Sequence, residues 1–113
     1  MAKSADQVTR ELVEFTRLVE NEFRVYAVVL FGSYARSQAT DYSDIDVAVF
    51  SDDFGADLLA DMKRLFKLRR RIDTDIEPLA FKKADFLDPS HSDFLSDVVN
   101  KGKLIYREGT FYV

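Results

Sequence analysis

The stretch from Leu30 to Phe50, LFGSYARSQATDYSDIDVAVF, decides how this chain folds. Tyr26-Ala27-Val28-Val29-Leu30-Phe31 is a short unbroken apolar run, the pattern of a strand buried on both faces. Gly32-Ser33 punctuates it, Tyr34 to Gln38 has room for a turn or two of helix, and Ala39 to Ser43 is turn-rich. Ile45 to Phe50 is then a second strand, with Asp44 and Asp46 at its mouth. Residues two apart on a strand share a side, so the two aspartates are expected to project together while Ile45, Val47 and Val49 pack the opposite face. Carboxylates so placed repel each other unless they share a proton or bind a cation.

Working outward, Ser4 with Gln7 three residues later has the pattern of a capping box. Val8, Leu12, Phe15, Val19 and Phe23 follow at helical spacing, which predicts an amphipathic helix from about Ala5 to Phe23. Downstream of the central stretch, Ser51-Asp52-Asp53 predicts a helix start. Leu58, Leu59, Met62, Leu65 and Phe66 carry that second helix to about Arg71. The segment RIDTDIEPLAF, residues 71–81, predicts a third strand, with alternation around Ile72, Thr74 and Ile76. Pro78 cannot donate a ladder hydrogen bond, so it marks an edge or an end of pairing. Phe86 to Ser92 reads as loop, Asp93 to Asn100 as a short helix, and Leu104 to Tyr106 as a last strand after Gly102. The order αβαβαβαβ predicts one small α/β domain over residues 1–113, a mixed sheet covered by helices.

The 113 residues are 47% apolar and 32% charged, ordinary proportions for a globular protein with one core. A net charge of −4 provides no field that favours nucleic acid or an anionic membrane, and neither is expected as a partner. Without cysteine there is no disulfide or thiolate metal site. No run approaches the roughly 20 apolar residues of a membrane span, and MAKSADQ lacks a signal-peptide core, so a cytoplasmic location is expected.

Chemistry concentrates at the central stretch. Hard divalent cations such as Mg²⁺ take oxygen ligands and commonly combine one or two carboxylates with substrate phosphates, which suits Asp44 and Asp46. A glycine after a buried strand lets backbone approach a ligand, so Gly32 and Ser33 are candidate phosphate-binding residues; a plain turn with Ser33 as N-cap is the alternative. Phosphate donors and metal ligands on adjacent strands are the equipment for phosphoryl or nucleotidyl transfer. The basic run from Lys63 to Arg71 complements a helix dipole and reads first as a solvated face, with an acidic partner as the alternative. His91 stands alone and is assigned no role. Tyr106, Phe111 and Tyr112 either pack on the core or mark an interface.

Gly32-Ser33, ten intervening residues and Asp44-Ile45-Asp46, with Tyr34-Ala35-Arg36 after the serine, resemble the signature of the minimal nucleotidyltransferases of the DNA polymerase β superfamily. Ser37 departs from the pattern, which often has glycine there. The resemblance implies that Ser33 contacts the triphosphate and that Asp44 and Asp46 hold a pair of Mg²⁺ ions. Arg36 becomes either a further phosphate contact or a solvated arginine. It also implies a third metal-binding carboxylate on a neighbouring strand, for which Asp73, Asp75 and Glu77 are candidates. The family's Asp-x-x-Pro spacing selects Asp75, with Glu77 close behind. The implied reaction is transfer of NMP, with AMP from ATP as the expected case, onto a hydroxyl acceptor. Minimal members pair with small helical proteins of the HEPN class (higher-eukaryote and prokaryote nucleotide-binding) and resemble antitoxins that adenylylate their partner, so a hetero- or homo-oligomer is expected. A non-catalytic nucleotide-binding antitoxin that masks its partner is the alternative. The chain is short for a separate acceptor-binding domain.

Overall fold

The computed structural model describes residues 2–113. Ser4 accepts a hydrogen bond from the Gln7 backbone at 3.1 Å and starts helix α1, Ala5–Glu20. The helix ends three residues before Phe23, whose backbone N–H closes back onto Val19 O at 2.9 Å. Phe23 then packs edge-on against Phe54 at 4.7 Å. The remaining elements are β1 (Val25–Phe31), β2 (Ile45–Ser51), α2 (Leu58–Arg69), β3 (Ile76–Lys82), α3 (Lys83–Leu87), α4 (Asp93–Lys101), β4 (Lys103–Arg107) and β5 (Thr110–Phe111).

The five strands form one mixed sheet in the order β3-β2-β1-β4-β5, with β2 and β3 parallel and every other pair antiparallel. The unbroken apolar runs became its two central strands, because both faces are covered. Val28, Leu30, Ile45, Val47 and Val49 pack under α1 and α2 with Leu12, Phe15 and Leu65. Ala27, Val29, Ala48 and Phe50 pack under α3 and α4 with Phe86, Leu95 and Val98. Pro78 sits within β3 opposite Val47, tolerated because β3 is an edge strand with only one neighbour to satisfy.

Four local expectations need correction. Ser51 and Asp53 do not start α2: Ser51 Oγ donates to Arg24 O at 2.7 Å, and Asp53 accepts from the Arg24 backbone N–H at 2.7 Å. Those side chains tie the start of β1 to the end of β2, and Asp57 caps α2 instead, accepting from Ala60 N at 3.1 Å. Residues 34–37 form hydrogen-bonded turns rather than helix. Part of the expected 86–92 loop lies in α3, and the third strand begins only at Ile76, after a turn in which Ile76 N bonds Asp73 O at 3.2 Å. The aromatic end of the chain packs back as β5, with the Phe111 ring 5.0 Å from Tyr106 and beneath Arg17.

Two features fix how the helices meet the sheet. At Gly102, a Cβ would lie 2.3 Å from Val98 O and 2.5 Å from Val29 Cγ1, so the end of α4 rests directly on β1 only because no side chain intervenes. On the other face, Glu11 of α1 is half-buried against Asp73, and its Oε2 has no donor. Lys3 Nζ bridges Asp73 at 3.3 Å and Asp75 at 2.5 Å. Burial, then the Asp73 carboxylate, push the Glu11 carboxyl up from 4.5 to about 7. Protonated Glu11 gives Asp73 the donor that the pair otherwise lacks.

Gly102→Ala should destabilise the fold by about 1–3 kcal/mol, the usual cost of overpacking, as read from denaturant melts. Because Glu11 has its pKa raised in the folded state, folding takes up a proton between about 4.5 and 7. Stability should therefore fall as pH rises through that window. Glu11→Gln, which offers Asp73 a donor at every pH, should flatten this slope and raise the melting temperature above neutral pH. An unchanged slope would remove Glu11 as its source.

Candidate active site

Antiparallel pairing sets Phe31, the last residue of β1, opposite Asp46 on β2. The chain must turn away at once without striking the Asp46 carboxylate. Gly32 does so with φ +74°, and a Cβ there would lie 2.2 Å from Asp46 Oδ2. A side chain is excluded twice, by conformation and by space. Ser33 follows, its carbonyl accepting from Arg36 N at 3.2 Å and Gln38 N at 2.9 Å, which closes the turn. Ser37 ends the turn with φ +57°, a left-handed conformation that favours glycine and explains why glycine is common there in the similar family pattern.

Asp44 lies just before β2 and is exposed, while Asp46 is half-buried within it. Asp46 shares a face with Ala48 and Phe50, toward α3 and α4, and Ile45, Val47 and Val49 fill the opposite core. Parallel register sets Glu77 of β3 directly beside Asp46. Burial raises the Asp46 pKa, the charges of Asp44 and then Glu77 raise it further, and Arg36 opposes them. Asp44, Asp46 and Glu77 are thus three carboxylates in one electrostatic neighbourhood, with Arg36 as its nearby cation.

The other two candidates lie elsewhere. Asp75 precedes β3; its carbonyl accepts from Ile45 N at 2.8 Å, and its carboxylate is engaged by Lys3. Asp73 joins the same Lys3 cluster with Glu11. The third strand does not extend back to bring Asp73, Asp75 and Glu77 onto one side. It starts too late, and Lys3 draws the first two together instead.

Arg69 is a residue that sequence reasoning left in a solvated face. Its Nη1 donates to Thr74 O and Ile76 O at 2.9 Å each and reaches Glu77 Oε1 at 3.5 Å. Its guanidinium stacks on Phe66 at 4.5 Å. Arg69 thereby holds the start of β3 and restrains Glu77. Nothing in the run Arg69-Arg70-Arg71 marks the first arginine out; only the tertiary path of the following turn does.

Asp44, Asp46 and Glu77 offer only oxygen donors, the set that suits a hard divalent cation. No three acidic, histidine or cysteine side chains among the described residues already converge as a metal-binding group. Burial first, and then the neighbouring charges of Asp44 and Glu77, raise the Asp46 pKa, and a cation bound there would oppose both effects.

A family model described as polymerase beta, nucleotidyltransferase, matches residues 14–110. Two proteins of Methanocaldococcus jannaschii are similar to the chain. One, named "Putative protein adenylyltransferase MJ1379", is 33% identical over 51 residues, which is 45% of this chain and 51% of that protein. The chain thus spans about half the length of that relative. The other, "Putative protein adenylyltransferase MJ0604", is 26% identical over 102 residues, 86% of this chain and 96% of its own. A solved structure described as a putative nucleotidyltransferase from Sulfolobus solfataricus superposes with a TM-score of 0.67 at 20% identity. It covers 100% of this chain and 96% of its own, a likeness of fold. With the family model spanning most of the chain and the Gly32–Asp46 geometry in place, this protein belongs to the polymerase beta nucleotidyltransferase family.

Proposed function

We propose that the protein transfers AMP from ATP to a hydroxyl side chain of a partner protein, with Mg²⁺ held by Asp44, Asp46 and Glu77. The observation that carries this reading is the seating of the Asp46 carboxylate against Gly32, with Glu77 in register beside it. Glu77 rather than Asp75 is proposed as the third carboxylate, since Asp75 is already engaged by Lys3. Bound Mg²⁺ would supply charge neutralisation on the phosphates and a more acidic acceptor hydroxyl.

The chain's own residues supply the rest. The Ser33 hydroxyl and Arg36 bind phosphate oxygens, and the open backbone at Gly32 lets the triphosphate approach Asp46. As the acceptor oxygen bonds to the α-phosphorus, the bond to the β-phosphate's bridging oxygen breaks and pyrophosphate leaves with that electron pair. The acceptor's proton passes to Glu77. The names of the two archaeal relatives support an adenylyl group and a protein acceptor.

A protein acceptor also suits the outer face of α2. There Leu59, Met62 and Phe66 floor a groove of about 460 Å³ rimmed by Lys63, Lys67 and Arg70. Leu59 is 67% exposed. Apolar floor and basic rim match an acidic amphipathic helix, the surface that a HEPN-class partner would need to present.

Asp46→Asn preserves shape and removes a charge. It should lower transfer from α-labelled ATP to a co-expressed HEPN-class helical protein by at least about a hundredfold, with the fold intact. Glu77→Gln should cost more than Asp75→Asn. The reverse order would restore Asp75 as the third ligand. Undiminished labelling by Asp46→Asn would refute the mechanism, and stable association with unchanged partner mass would mark the protein as a masking binder.

A further inference from the structure

Three short segments carry the candidate site: the turn after β1, the mouth of β2 and the start of β3. Lys3, ahead of α1, is linked to all of them. Its backbone N–H donates to the Tyr34 hydroxyl at 3.2 Å, across 31 positions of sequence. Tyr34 directly follows Ser33 and packs against the core under α1 and α2. The Lys3 ammonium donates to Asp75 at 2.5 Å and pairs with Asp73 at 3.3 Å, with only 20% of the lysine side chain exposed. The Asp75 carbonyl in turn accepts the Ile45 N–H at 2.8 Å, and Ile45 stands between Asp44 and Asp46. Glu77 lies two residues beyond Asp75. One residue thus connects the Ser33 turn to the strand ends that bear the carboxylates. The turn's own hydrogen bonds, from Arg36 N and Gln38 N to Ser33 O, set its shape rather than its distance from β3.

We infer that Lys3 is a positioning residue, a strap that holds the Ser33 turn in place against the carboxylates of β2 and β3. This rests on the transferase reading, in which one ligand must meet the turn through its phosphates and the carboxylates through a cation. A hydrogen bond to a tyrosine hydroxyl is a modest tie by itself. Anchored at its other end by a charge-assisted bond to Asp75, it resists displacement of the turn. The strap acts only when both ends are fixed, so cutting either end should release the turn as fully as cutting both. Contacts that merely added stability would act independently, and their losses would multiply. A fixed distance matters because a small misplacement of the bound phosphates costs reaction rate steeply.

Tyr34→Phe keeps the ring and its packing and removes the hydroxyl, whereas Lys3→Met keeps the backbone N–H and removes the ammonium. Amide hydrogen exchange of the full chain reads the turn directly, through the Arg36 and Gln38 N–H groups bonded within it. Each variant should speed those two amides about fivefold, the usual worth of one hydrogen bond, and the double variant should speed them no further. Amides of the central strands β1 and β2 should keep the parent's rates. Effects that multiply in the double variant, a turn left at the parent's rates by either single variant, or equal acceleration in the central strands would each overturn the strap. In transfer from α-labelled ATP, each variant should lower kcat about tenfold while KM for ATP stays within about threefold of the parent. An unchanged kcat would overturn the positioning role. If the parent transfers no label, the transferase reading falls, while the exchange rates still decide whether Lys3 straps the turn.

Discussion

The approach of Gly32 to the Asp46 carboxylate is the constraint on which the mouth of the sheet depends. Antiparallel pairing makes Phe31 and Asp46 neighbours, so the turn after β1 has to form within reach of a half-buried acid. Any side chain at position 32 would collide with Asp46 Oδ2 and face an unfavourable positive φ. With glycine, the turn stays close, Ser33 follows just beyond the end of central strand β1, and a ligand bound by the turn would lie next to the carboxylates. Stability alone would not select this arrangement. It crowds Asp44, Asp46 and Glu77 together and raises the Asp46 pKa, an unfavourable state for the isolated protein.

Opposing charge has been distributed unevenly around that group. Lys3 is committed to Asp73 and Asp75 on the α1 side, where Glu11 completes a separate cluster. Arg69 spends its hydrogen bonds chiefly on the Thr74 and Ile76 carbonyls and touches Glu77 only at 3.5 Å. Arg36 is the cation felt by Asp46, and it sits on the same turn as Ser33. Structural ion pairing is therefore concentrated at the start of β3. The carboxylates at the mouth keep a charge deficit that a divalent cation, bringing a triphosphate, would offset.

Much of the fold was legible because patterning and position agreed. Unbroken runs at 26–31 and 45–50 identified the central strands, and Ser4 with its apolar stripe identified α1, since local propensity and burial point the same way there. Misreadings arose where polar side chains had tertiary partners. Ser51 and Asp53 look like a helix cap and instead bind Arg24, twenty-seven and twenty-nine positions away. Gly32, Ser33, Asp44 and Asp46 stand out in the sequence as candidates because their spacing brackets one strand–turn–strand passage. The choice among Asp73, Asp75 and Glu77 was not readable from alternation. It depends on where β3 begins, and that depends on Arg69 and Lys3 gripping the preceding turn. The Lys3 link leaves no local trace at all, as its partners Tyr34 and Asp75 stand 31 and 72 positions away.

We propose that the carboxylates around Gly32 form a divalent-cation site. Paramagnetic broadening by Mn²⁺ in amide NMR spectra tests it most directly, because broadening falls steeply with distance from the ion. The account predicts that substoichiometric Mn²⁺ selectively broadens Gly32, Ser33, Asp44, Ile45, Asp46 and Glu77, that Mg²⁺ reverses the effect, and that Asp46→Asn abolishes it. Broadening centred on Asp73 and Asp75, or spread evenly over exposed acids such as Asp52 and Asp88, would contradict it.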